Sequence, residues 1–228
     1  MSQLDLTPLA ERALSLLPDG AMVGLGTGHA ATAFVHALAG RVRAGFRVTG
    51  VPTSEESGRL ARRLGIPLTT LDDVPFVDVD VDGADEVDPA GNLIKGYGGA
   101  LVREKVVAAA SRRLVILVGP EKLVPMLGGR GTLPVEVIPF AVGPVSRQLA
   151  VLGCPPRVRT HDGSRFVSDN GNLILDCSVG PLDNPAELDA AIRAIPGVAG
   201  TGLFLGMSPT VLVLDPAGGV TVRGSVGS

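Results

Sequence analysis

Ala21-Met22-Val23-Gly24-Leu25-Gly26-Thr27-Gly28-His29-Ala30 reads as a short buried strand, Ala21 to Leu25, that turns through glycines into an Ala-rich segment with helical spacing, Ala30 to Ala39. Helix and strand alternate on either side. Upstream, Thr7-Pro8 predicts a helix start, with Thr7 as cap and proline in the first turn, followed by apolar Leu9, Ala13, Leu14, Leu16 and Leu17. Downstream come a strand near Arg47 to Val51, a helix opening at Thr53-Ser54 and running to Leu64, and a strand near Pro67 to Thr70, with Gly65 placed to end the helix. Phe76 to Val81 is a further strand candidate that stops at Asp82-Gly83-Ala84-Asp85-Glu86. After Leu93-Ile94-Lys95 and the glycines of 96 to 99, a helix is expected over Ala100 to Arg113 and a fully apolar strand over Leu114 to Val118.

Strands alternating with helices predict an α/β fold with a doubly wound, mostly parallel, Rossmann-like sheet. Ligands of such sheets sit in the crevice beyond the strand C-terminal ends, where the loops at 26–29, 82–86 and 95–99 fall. From Pro125 onward, Pro134, Pro139, Pro144, Pro155 and Pro156 punctuate shorter candidates. Strands are expected near Val135 to Ile138, Arg157 to Thr160, Arg165 to Ser168 and Leu173 to Cys177, and helices near Val142 to Leu152 and Pro185 to Ala194. A second, smaller α+β domain over 126–205 is therefore expected, with 1–125 plus 206–228 forming the α/β catalytic domain. The closing runs Val211 to Leu214 and Val220 to Val222 fit a hairpin returning to the first sheet.

Composition narrows the partners. The chain has 228 residues, 45% hydrophobic, with 31 glycines and 18 prolines. No apolar run approaches the roughly 18 residues of a membrane helix, and the N-terminus lacks the basic and apolar regions of a secretory signal. A cytoplasmic location without membrane association is the expectation. Net charge is -3, with one tyrosine and no tryptophan, which argues against a nucleic-acid surface. Cys154 and Cys177 have no metal-ligand spacing, and no metal site is expected. The basic residues are 17 Arg and three Lys, and Lys95, Lys105 and Lys122 all fall in one short segment. A compact ammonium serves where a point charge must face one oxygen, so these lysines mark a candidate site.

Three constellations carry chemistry. Gly24-Leu25-Gly26-Thr27-Gly28 before a helix suits an anion, although a merely tight turn has the same sequence. As a dinucleotide fingerprint it fails: His29 holds the third glycine position, and no acidic residue lies between Asp19 and Glu55. It also lacks the Gly-Lys-Ser/Thr ending of a P-loop, so a phosphate ester without a nucleotide fits better. Asp82 and Asp85, flanked by the small Gly83 and Ala84, can hydrogen-bond ligand hydroxyls or exchange protons, whereas Glu86 reads as part of a solvated acidic turn. Lys95-Gly96-Tyr97-Gly98-Gly99-Ala100-Leu101-Val102-Arg103-Glu104-Lys105 joins a cation, a glycine loop and a helical carboxylate. Burial raises a carboxyl pKa while a nearby ammonium and a helix N-terminus lower it, so Glu104 suits a proton-transfer base. Sequence neighbours on a helix do not share a face, so Glu104 can point inward while Arg103 and Lys105 point out. Tyr97 is read as lining the pocket.

Taken in order, the glycine loop at 24–28, Asp82 to Glu86 and Lys95 to Lys105 closely resemble ribose-5-phosphate isomerase, type A. Thr53-Ser54, Glu121 to Val124, Pro134 to Val137, Asp169 to Asn172 and Ile195 to Val198 extend the likeness over nearly the whole chain. The resemblance implies cofactor-free interconversion of D-ribose 5-phosphate and D-ribulose 5-phosphate, and a homodimer or homotetramer. It makes Glu104 the base that carries a proton between C2 and C1, and Asp82, Asp85 and Lys95 the polar catalytic residues. The substrate contacts it implies are Thr27, Gly28, His29, Ala30, Asp82, Gly83, Ala84, Asp85, Lys95, Gly96, Tyr97, Gly98 and Lys122. Two departures stand out: His29-Ala30 replaces a usual Ser-Thr, and Tyr97 replaces a usual glycine. A catalytically silent phosphosugar sensor is the competing class. An NADP oxidoreductase is suggested only by Arg41, Arg43 and Arg47.

Overall fold

A computed structural model describes residues 5–215 and 217–224, so 1–4, 216 and 225–228 of the expected catalytic domain lie outside the described residues. In chain order the elements are α1 (Thr7–Leu14), β1 (Ala21–Leu25), α2 (His29–Arg43), β2 (Val48–Pro52), α3 (Glu55–Arg63), β3 (Val77–Gly83), β4 (Glu86–Val87), β5 (Leu93–Ile94), α4 (Leu101–Ala109) and β6 (Ser111–Val118). Then follow β7 (Thr132–Val137), α5 (Val142–Val151), β8 (Pro156–Val158), β9 (Thr160–His161), β10 (Ser164–Arg165), β11 (Leu173–Ser178), α6 (Pro185–Arg193), β12 (Val198–Thr201), β13 (Leu203–Phe204), β14 (Thr210–Leu214) and β15 (Val220–Arg223). Two compact units result: one of 1–84, 103–122 and 207–228, the other of 85–102 and 123–206. Segment 85–102, which the sequence reading keeps with the catalytic domain, clusters with the second unit.

The first unit holds a six-stranded sheet in the order β15-β14-β6-β3-β1-β2. All neighbours pair in parallel except the edge strand β15, which is antiparallel to β14, as the terminal hairpin requires. The chain leaves β1 toward β2 and leaves β3 in the opposite direction, toward β6. The crevice of a doubly wound sheet therefore opens at the C-terminal ends of β1 and β3. On β3, Val79 and Val81 pack in one apolar cluster with Leu9 of α1 and Phe34 and Leu38 of α2. Strand alternation then sends Asp78, Asp80 and Asp82 to the other face. Fully burying an apolar side chain such as Phe34 is worth roughly 1.5–3 kcal/mol, so these valines lock which face the aspartates occupy.

The second unit builds an antiparallel sheet in the order β12-β7-β11-β8, and its apolar cluster joins Val135 and Leu175 of the sheet to Val145 and Leu149 of α5 and Ile192 of α6. A three-stranded sheet, β13-β5-β4, and the β9-β10 pair complete it.

Three local expectations are corrected. Leu6, not Thr7, is the cap of α1, and the Asp5 carboxylate accepts the Thr7 N–H at 3.0 Å, satisfying a free helix donor from outside. The strand expected at Pro67 to Thr70 reduces to a single bridge between Gly50 and Leu68. The helix expected to reach Arg113 stops at Ala109, because Ser111 already pairs with Val77 and its hydroxyl caps the Val107 carbonyl at 2.7 Å. Tertiary pairing outweighs helix propensity there. Strands β4, β5, β12 and β13 are additions to the sequence reading.

Candidate active site

In the first unit, glycines make room for carboxylates. A side-chain carbon at Gly24 would overlap the Asp80 carboxylate and lie 2.9 Å from Val107 Cγ1. At Gly26 it would overlap the Asp82 carboxylate and sit 2.6 Å from Asp82 Cα. The gap is filled by hydrogen bonds: fully buried Asp82 accepts at Oδ1 from Thr27 N at 3.0 Å and from Gly83 N at 2.7 Å. The Thr27 hydroxyl lies 2.9 Å from that of Thr53 and donates to Ser54 Oγ at 2.8 Å. Ser54 in turn caps α3 through a capping box with Ser57, so the glycine loop and two helix starts share one hydroxyl network.

Gly28, at φ +98°, is the cap of α2, and the first bond of that helix runs from Thr32 N to the Gly28 carbonyl. The N–H groups of His29, Ala30 and Ala31 thus precede the helical ladder, at its positive end. His29 is exposed and Ala30 half-buried. A cleft of about 260 Å³ runs from Gly26, Thr27 and Gly28 between His36 of α2 and Ser57 and Arg63 along α3.

Glu104 lies on α4, only 5% exposed. Val107, one turn later on the same helical face, is the residue that abuts Gly24, so Glu104 is turned toward the aspartate-bearing face of the sheet. Arg103 points elsewhere and donates to Glu55 at 2.9 Å, leaving the inward and outward roles divided as the spacing predicts. Lys122 is half-buried at the end of a short 3₁₀ turn, Pro120–Lys122, just past the C-terminal end of β6. Gly83 and Ala84 follow Asp82 directly and are half-buried.

The second unit holds Asp85, Lys95, Gly96, Tyr97 and Gly98. Lys95 is 3% exposed, its ammonium 5.6 Å from the Phe204 ring centroid. Asp85 Oδ2 accepts the Tyr97 N–H at 2.9 Å. Gly96 and Gly99 have φ +108° and +91°, conformations that require glycine, whereas Tyr97 does not, so a side chain is accommodated there. The Tyr97 hydroxyl donates to the Thr132 carbonyl at 3.3 Å, and burial, followed by the charges of Glu86 and Asp85, pushes its pKa up to about 12.

Glu86 is not in a solvated turn. It is fully buried and accepts the backbone N–H of Gly128 at 2.6 Å and of Arg130 at 2.8 Å, clamping that loop. Arg159, which no motif marks, also reaches the Gly96 and Tyr97 carbonyls, and its guanidinium is held by Asp176.

The model of the family ribose 5-phosphate isomerase A (phosphoriboisomerase A) matches residues 49–218. The chain belongs to this family. It is 53% identical over 211 residues to ribose-5-phosphate isomerase A of Gloeobacter violaceus, covering 92% of this chain and 91% of the relative. It is 51% identical over 212 residues to that of Roseiflexus castenholzii, with the same two coverages of 92% and 91%. Ribose 5-phosphate isomerase A from Methanocaldococcus jannaschii superposes with TM-score 0.91 at 40% identity, over 96% of this chain and 98% of that one. A D-ribose-5-phosphate isomerase solved in complex with phospho-erythronic acid superposes with TM-score 0.92 at 34% identity, over 96% and 97%. The Rossmann-like α/β class expected from the sequence is thereby borne out.

Proposed function

We infer that this chain interconverts D-ribose 5-phosphate and D-ribulose 5-phosphate, as the ribose 5-phosphate isomerase A family does, with Glu104 as the proton-transfer base. The observation that carries the assignment of the base is the burial of Glu104 on the inward face of α4, at the position to which the sequence resemblance gives the proton-transfer role. A base of this kind removes the proton on C2 of the open-chain aldose. The C2–H electrons form the C1–C2 double bond, and the carbonyl electrons move onto O1 as an enediolate. Returning the proton to C1, while the O2 hydroxyl proton passes to O1, leaves the ketose. Every electron pair stays on the substrate, so the scheme calls for no redox cofactor.

Preorganised positive charge is most useful where the enediolate oxygen develops, and we assign Lys95 that task. Low solvent access at Lys95 and Glu104 strengthens such interactions relative to water. Asp82 and Asp85 are assigned to the sugar hydroxyls and to ring opening. For the phosphate, the Thr27 N–H is engaged by Asp82, which shifts the burden to the N–H groups of His29 and Ala30 at the start of α2, with Lys122 as a further contact. Gly83 and Ala84 leave space beside the sugar, and Gly96, Tyr97 and Gly98 supply backbone contacts. A homodimer or homotetramer, implied by the resemblance, and the cytoplasmic location expected from the sequence belong to the same reading.

The test is proton NMR of the protein with D-ribose 5-phosphate in heavy water. Ketose with deuterium at the transferred position is expected from the native chain. Glu104→Gln keeps substrate binding and loses turnover by at least about 10²-fold, the low end for a general base. Native protein that binds the sugar without converting it would be a sensor rather than an enzyme.

A further inference from the structure

We propose that Arg159 is a positioning residue for the isomerisation, holding the Lys95–Gly99 loop in its working conformation; the proposal rests on the isomerase reading above. Arg159 Nη1 donates to the Gly96 carbonyl at 2.9 Å and to the Tyr97 carbonyl at 3.0 Å. Its Nε and Nη2 donate to the two oxygens of Asp176 at 2.9 and 2.5 Å. One fork thus ties a strand carboxylate to two consecutive loop carbonyls, with the Arg159 side chain only 13% exposed. Its own backbone is set in place: Arg159 N donates to Ile174 O at 2.8 Å, and Phe166 N donates to Arg159 O at 3.0 Å. The Phe166 ring completes the support, lying 5.8 Å from the guanidinium carbon and occupying the space a side chain at Gly99 would need.

Planarity of the peptide unit carries this grip to the working side of the loop. The Gly96 carbonyl and the Tyr97 N–H belong to one trans peptide and point in opposite directions. Pinning the carbonyl therefore aims that N–H, which meets Asp85 Oδ2 at 2.9 Å. The second carbonyl does the same for the N–H of Gly98, aiming it away from Arg159. A segment with glycine at 96, 98 and 99 has a large conformational freedom to lose, and Arg159 is the side chain that binds two of its carbonyls. A lysine at 159 keeps the charge and not the fork.

The experiment measures kcat and KM for D-ribose 5-phosphate in Arg159→Lys and Arg159→Ala, alongside assigned backbone amide spectra. Expected is a fall in kcat of about 10²-fold with KM within about threefold, the signature of displaced machinery rather than lost binding. The Tyr97 and Gly98 amide signals move, while those of Leu133 and Leu175 in the antiparallel sheet stay. Guanidinium ion at non-denaturing concentration restores part of kcat to Arg159→Ala, and urea at equal concentration does not. Should truncation unfold the protein, Asp176→Asn, which leaves Arg159 in place but loosely held, gives a smaller loss of about tenfold in the same direction. Folded variants with native kcat overturn the proposal, as does a kcat loss with unmoved Tyr97 and Gly98 amides. A native chain that does not convert the sugar overturns the isomerase reading itself, and only that outcome does.

Discussion

The two glycine loops of this chain look alike as sequence and work by different physics. At Gly24 and Gly26 the glycines are absences: no side chain fits because Asp80 and Asp82 of the adjacent strand occupy the space. At Gly96 and Gly99 they are conformations, with φ +108° and +91°, and the loop is braced from outside by Arg159 and Phe166. The first loop is thus rigid because its neighbours are strands, whereas the second is rigid because one side chain holds its carbonyls. A glycine motif alone cannot say which of the two it encodes.

Gly26→Ala breaks the first loop most severely. The added carbon meets not only the Asp82 carboxylate but its Cα at 2.6 Å, so the backbone of β3 must move. Overpacking of this kind costs about 1–3 kcal/mol. Because Asp82 moves with the strand, kcat is expected to fall by about 10²-fold as well. Truncating the carboxylate in Gly26→Ala/Asp82→Ala leaves the Cα clash and restores neither quantity. Urea denaturation and steady-state kinetics of the pair read this directly. Recovery of stability in the double variant would mean the glycine serves the carboxylate alone.

Gly99→Ala tests the second loop and separates the two costs. Its carbon would meet the Phe166 ring, with Cε1 at 2.6 Å, in a left-handed backbone conformation. A double-mutant cycle with Phe166→Ala removes the ring and not the φ angle. The expected result is favourable coupling of about 1 kcal/mol, with a residual penalty of roughly 1–2 kcal/mol from the left-handed residue. Full additivity in denaturant melts would show that the ring and the glycine do not meet.

The unequal legibility of these loops has a physical origin. Strand β1 is placed at Ala21–Leu25 as the sequence predicts, since five apolar residues bounded by a turn and a glycine loop carry their own signal. The inward turn of Glu104 follows from helical spacing alone. By contrast, β4 and β5 are two residues each, too short for any periodicity. Glu86 is misread because its partners lie 42 and 44 residues away, at Gly128 and Arg130. Arg159 and Asp176 are invisible for the same reason: their pairing exists only once β8 and β11 align, and no local motif records it. What a residue does through its own element can be read along the chain; what it does through a partner strand must wait for the fold.

The smallest effect concerns Tyr97, the chain's single tyrosine, which makes the second loop its own reporter. Its hydroxyl sits against the Thr132 carbonyl, and burial first, then the Glu86 and Asp85 charges, raise its pKa to about 12 from an ordinary 10.0. A raised pKa means the fold prefers the protonated phenol. The corresponding stability is fully present below pH 10 and is lost as pH rises through about 12, because the unfolded chain releases its proton first. Absorbance at the phenolate band is expected to titrate near 12 in the folded protein and near 10 after unfolding. In Arg159→Lys, where the loop is no longer held against the second unit's strands, the folded midpoint moves down toward the free value. An unmoved midpoint would mean that Tyr97 is placed by its own contacts and that the arginine braces only the backbone beneath it.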